Sequence, residues 1–145
     1  MNSLMTDEWE EEYIVEDDMI PNPREDDNLG VMAAFHNAYN LGDEAPFSTT
    51  EFNGWEEMEE HIQSKLHPVA IKPLYLYDHS GVTMSTEPFS CNFDSGQVGF
   101  IYATNKDLDR MGIKMKAGET WSEFKERIEL QLVAEVSWYD RYLQQ

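Results

Sequence analysis

A chain of 145 residues is long enough for one domain with its own core, and a formal net charge of −19, from 29 acids against 10 Lys and Arg, disfavours direct contact with nucleic acid or membrane phosphate. No apolar run approaches the roughly 20 residues of a membrane helix, and the single cysteine, Cys91, excludes an internal disulfide. Residues 1–9 lack the basic start and apolar stretch of a secretory signal, so the expected location is the cytoplasm.

In chain order, residues 1–12 read as an acidic arm with Trp9 as the one large anchor, and residues 13–145 as a single domain. Tyr13, Ile14 and Val15 have the content of a short strand, which Pro21 and Pro23 interrupt. Asp26, Asp27, Asn28 and Leu29 lead through Gly30, a residue suited to positive φ, into a strand over residues 31–35. Residues 40–43 then form a further turn. Asn53 and Glu56 have capping-box spacing, and Trp55, Met58, Ile62 and Leu66 lie on one helical stripe that ends at Pro68.

The central stretch predicts three strands, over residues 69–77, 82–86 and 97–103. A polar turn at Asp78, His79, Ser80 and Gly81 separates the first two, and a longer loop through Cys91 and Asp94 precedes the third. Thr104 and Asp107 cap a short helix that exits at Gly112. Thr120 and Glu123 cap a long one, along which Trp121, Phe124, Ile128, Leu132, Val136, Tyr139 and Leu143 recur at helical spacing. The fold class that follows is α+β: a small antiparallel sheet packed against a long C-terminal helix and a second amphipathic helix.

Charge is unevenly placed along this order. Residues 1–60 carry 18 acids against one base, Arg24, whereas residues 61–145 carry 11 acids and 9 bases. The acids Glu8, Glu10, Glu11, Glu12, Glu16, Asp17 and Asp18, with Glu56, Glu57, Glu59 and Glu60 on the first helix, could serve solubility alone. They could equally imitate a phosphate backbone and meet the basic groove of another protein.

Side chains that could carry chemistry gather in the two central loops. Asp78 and Ser80 suit a hairpin turn, yet Asp78, His79 and Asp94, joined by His36, would also suit a divalent ion. Cys91 beside His79 or His36 would pair a nucleophile with a base, although a lone cysteine is as readily a packing residue. No spacing of the HExxH or CxxC kind and no glycine-rich phosphate loop accompanies them, so no cofactor is assigned.

Several motifs carry a resemblance. Asn22-Pro23-Arg24-Glu25, Asp27-Asn28-Leu29-Gly30, Tyr39-Asn40-Leu41-Gly42-Asp43, the run from Leu74 through Tyr77 to Gly81, Pro88-Phe89-Ser90-Cys91, the run from Asp94 through Gln97 to Tyr102, and Tyr139-Asp140-Arg141-Tyr142-Leu143 together resemble a widespread family of bacteriophage and mobile-element proteins. That family carries tryptophan where Asp26 and Phe93 stand. The resemblance implies a phage context and brings no activity with it. Small acidic phage proteins are similar in character to inhibitors of bacterial defence. The leading expectation is a non-enzymatic inhibitor of the anti-CRISPR or antirestriction type, whose acidic face binds a basic surface on a host defence protein or nuclease complex. The alternative is a small metal- or cysteine-dependent hydrolase using Asp78, His79, Cys91 and Asp94, or a protein that sequesters a nucleotide or signalling molecule.

Overall fold

The computed structural model describes residues 20–91 and 93–145. The proposed strand at residues 13–15 and the arm that precedes it lie outside the described residues. The sheet is assembled on its two nine-residue strands, β2 (Ala70–Asp78) and β4 (Ser95–Ala103), which pair antiparallel along most of their length. Two four-residue strands flank them: β1 (Val31–Ala34) pairs with β4 and β3 (Val82–Ser85) with β2, both antiparallel, in the order β1-β4-β2-β3. Among the described residues three α-helices accompany the sheet: α1 (Trp55–His61), extended by a π turn over Ile62–Leu66, α2 (Asn105–Met111) and α3 (Trp121–Leu143). The class is α+β, as the periodicities indicate.

Alternation along the strands supplies two cores, one on each face of the sheet. Met32, Leu74, Leu76, Met84 and Ile101 point to one face, where Phe124, Ile128, Leu132, Val136 and Tyr139 of α3 cover them. Ala33, Phe100 and Tyr102 point to the other, against Met58 and Ile62 of α1 and Phe47 of the preceding loop. Leu132, Ile128, Ile62 and Leu74 are almost fully buried, and each side chain of this size contributes about 1.5–3 kcal/mol by leaving water.

The stripe expected on α3 is buried from Phe124 to Tyr139, but Leu143 is half-buried and Trp121 is 55% exposed. Trp121 sits in the first turn, where its ring leans on Phe124. Capping of α2 and α3 follows the spacing: Thr104 accepts from the Asp107 amide and Thr120 from the Glu123 amide. At α1 the sequence misleads. Gly54 is the N-cap residue, and Glu57 in place of Glu56 reaches back to the Asn53 amide, at 3.2 Å. The helix ends through His67 in a left-handed conformation, φ 50°, just before Pro68.

β4 contains the irregularity that shapes the site. Leu74 faces Gly99 and Tyr75 faces Gln97, so Val98 is an extra residue in the ladder. Its carbonyl accepts the Phe35 amide at 2.8 Å, beyond the end of β1. The bulge reverses the alternation: Val98 joins Ile101 and Ala103 on the α3 face. Gln97 is thereby delivered to the α1 face, next to Phe100, Tyr75 and Trp55.

A buried ionic network fastens the segment before β1 onto α3. Arg24 and Glu135, with side chains 3% and 6% exposed, lie 3.3 Å apart. Arg24 also makes a bidentate pair with Asp43, at 3.0 and 2.6 Å, and donates to the Gly30 carbonyl. Glu135 accepts the amides of Leu29 and Gly30 at 2.8 and 3.0 Å. Burial opposes the charge on Arg24, but its hydrogen bonds and attraction to Asp43, with Glu135, outweigh that and raise its pKa. Gly30 does not adopt positive φ, contrary to expectation. It is small because a Cβ there would come within 2.6 Å of the Leu132 side chain.

The same polar groups close the sheet at its flanks. Outside β1, the Met32 amide donates to Asp43 and the Met32 carbonyl accepts the Asp43 amide, both at 2.8 Å. Outside β3, the Met84 amide donates to Asp140 of α3 at 2.9 Å. β3 spans only the second half of β2, and the half left uncovered contains Pro73, which has no N–H to offer.

A second charged clamp holds the start of α3. Arg127 donates twice to Glu119, at 2.9 and 3.0 Å, and once to the Lys114 carbonyl. Those bonds from Arg127, with the Lys116 amide, hold the Glu119 pKa down at about 2, against an ordinary value of 4.5. A carboxyl with a lowered folded pKa stabilises above its unfolded pKa, and the contribution fades as pH falls through the folded one. Comparison of Glu119→Gln with the parent by urea unfolding should show a gap in midpoint that is full above pH 4.5 and closes toward about pH 2. A gap of constant size across that range would show that the ion pair does not titrate with folding.

Candidate functional site

The turn after β2 is tight: the His79 amide donates to the Gly81 carbonyl at 3.0 Å, and Ser80, not Gly81, carries the positive φ of 61°. The Asp78 amide donates to the Asp94 carbonyl at 2.8 Å, which draws the long loop alongside the hairpin. As a result His79 Nδ1 and Asp94 Oδ2 meet at 3.0 Å, with the side chains 63% and 40% exposed. The Tyr77 ring stacks near the imidazole. Asp78 turns elsewhere and accepts the Tyr39 hydroxyl at 3.2 Å, while the Tyr39 ring lies 4.9 Å from that of His36. Cys91 is half-buried, and its carbonyl accepts the Ser95 hydroxyl.

Of the four loop residues singled out from sequence, then, the structure pairs His79 with Asp94, gives Asp78 a tyrosine partner, and bonds Cys91 to neither histidine among the described residues. An aspartate can orient an imidazole in this way, but no Ser, Thr or Cys side chain is hydrogen-bonded to the His79 ring among the described residues. Nor do three His, Cys, Asp or Glu side chains converge closely enough for a metal ion among the described residues.

Two clefts run beside this cluster and share His36, Gln97 and Val98. One, about 540 Å³, has Phe35, Tyr39, Asn40 and Trp55 in its walls; the other, about 370 Å³, has Asp78, Phe93 and Asp94. His36 Nδ1 accepts the Ala38 amide at 3.0 Å, so in the neutral ring the proton resides on Nε2. No Lys or Arg lines either cleft among the described residues. In the smaller cleft a phosphorylated ligand would place its charge beside Asp78 and Asp94 with no Lys or Arg in the described lining to balance it, which counts against nucleotide chemistry there.

The strongest charge feature lies on α1. Met58 and Ile62 are buried and fix the rotation of the helix, which leaves Glu56, Glu57, Glu59 and Glu60 exposed together. None of the ion pairs among the described residues involves any of the four. Residues 20–145 hold 21 acids and 10 bases, so the body is acidic in its own right. The other acids proposed for recognition, Glu8, Glu10, Glu11, Glu12, Glu16, Asp17 and Asp18, lie outside the described residues.

Beside the acids, Glu56 and Glu59 open onto a cavity of about 170 Å³ between α1 and the sheet, with Trp55, Tyr75, Gln97 and Phe100 in its walls. Sequence reasoning passed over Tyr75 and Gln97 as ordinary strand residues. Tyr75 reaches the face of α1 by regular alternation along β2, whereas Gln97 joins it there only because of the bulge at Val98, next to Gly99. No family model, curated protein or solved structure matches the chain.

Proposed function

We propose that this protein is a non-enzymatic inhibitor of a bacterial defence system, of the anti-CRISPR or antirestriction type, that docks its acidic face on a basic, nucleic-acid-binding surface of a nuclease complex. The supporting observation is the group of four exposed glutamates on α1, held in one orientation by buried Met58 and Ile62 and without ion-pair partners among the described residues. Unpaired carboxylates on a rigid support keep their full potential toward solvent, and such a field speeds encounter with a basic surface while salt weakens it. The bacterial target follows from the resemblance to phage proteins.

The test is inhibition of a panel of restriction and CRISPR nucleases, measured in competition with DNA across ionic strength. Inhibition of a susceptible enzyme should fall as salt rises, and Glu56→Gln, Glu57→Gln, Glu59→Gln and Glu60→Gln combined should weaken it by about tenfold or more. Undiminished inhibition by that neutralised variant would remove the acidic-face reading.

A further inference from the structure

We infer that the cavity between α1 and the sheet is a receptor for one arginine side chain of the protein partner, so that docking is selective for guanidinium and not merely for positive charge. This rests on the acidic-face reading and specifies the chemistry at its centre. The polar side chains in the wall include Glu56 and Glu59, two carboxylates three residues apart on one helix face, and the amide of Gln97. Gln97 Nε2 is already committed to the Gly99 carbonyl at 3.2 Å, which leaves Oε1 as an acceptor for an incoming group. Three acceptors from two directions match a planar fork of donors.

The rest of the wall is apolar, aromatic at Trp55, Tyr75 and Phe100 and aliphatic at Ile71 and Pro73. Trp55 is held with its ring stacked on Phe35 and edge-on to Phe100, centroids 6.5 and 6.3 Å away, so the surface it presents is fixed before binding. A guanidinium stacks on such rings and is weakly hydrated, whereas an ammonium is a compact, strongly hydrated charge that gains less from them. The volume of about 170 Å³ accommodates a single side chain end and not a larger ligand. A second copy of this chain is a poor occupant, because each copy brings a net charge of −19.

The experiment compares two peptides of equal length, one with arginine and one with lysine at every basic position, titrated into the full-length protein by calorimetry. The arginine peptide should bind about tenfold more tightly, and that ratio should fall to near one in Gln97→Leu and in Glu59→Gln. The Gln97 side-chain amide resonance should shift with the arginine peptide alone. Equal, salt-sensitive binding of both peptides to the parent protein would overturn the arginine receptor while leaving the acidic face standing. No binding of either peptide at low salt would overturn both.

Discussion

Gly99→Ala should unfold the protein at a markedly lower urea concentration, with a loss of about 3 kcal/mol or more. A Cβ at position 99 would lie 1.9 Å from the Ala33 carbonyl oxygen and 2.9 Å from its carbon. Both are backbone atoms of β1, so no rotamer change can relieve the contact, and β1 must move off β4. The register Ala33 to Phe100 and Ala34 to Gly99 would be lost, together with the bond from the Phe35 amide to Val98. Hydrogen exchange locates the damage: the Phe35 amide should lose protection first, while α3 remains protected. An unchanged midpoint would mean that the close approach of β1 to β4 is not a feature of the folded protein.

Glu135→Ala should be comparably severe, at about 3–5 kcal/mol, the usual consequence of leaving a buried charge without its partner. The substitution removes the acceptor for the Leu29 and Gly30 amides and one of the two carboxylates around Arg24. Asp43 alone must then balance a guanidinium that is 3% exposed. Since stability of a domain is about 5–15 kcal/mol, such a loss consumes a large share of it. The companion variant Arg24→Met with Glu135→Gln and Asp43→Asn removes the charges together while keeping an amide oxygen to accept from residues 29 and 30, and should recover part of the loss. If Glu135→Ala alone proved neutral by thermal unfolding, the network would be ornamental.

These two positions also show where sequence reasoning reaches and where it stops. The strands, the capping residues of α2 and α3, and the stripe from Phe124 to Tyr139 were legible because each depends on neighbours three to five residues away. Glu135 was not, since an acid on a charged helix reads as exposed, and its partners lie 105 or more residues earlier in the chain. Arg24, Gly30, Asp43 and Tyr139 come together as pins between the start of the domain and its last helix, and Asp140 pins that helix to β3. At the site, the polar density of the central loops suggested one constellation. The structure resolves it into a His79–Asp94 pair and a Tyr39–Asp78 pair. Gln97 was hidden because the bulge at Val98 changes which way it points, and nothing in local alternation records that change; Tyr75, by contrast, alternates regularly between Leu74 and Leu76.

The two closed flanks of the sheet carry a consequence for how any partner can be met. With Asp43 occupying the backbone of β1, Asp140 that of β3 and Pro73 interrupting the remainder of β2, an extended peptide finds no row of main-chain groups on which to add itself as a fifth strand. Side-chain contact is thereby favoured over strand addition at the described edges. A target's identity would then be decoded one residue at a time, and single substitutions on either partner should tune the match gradually without abolishing it.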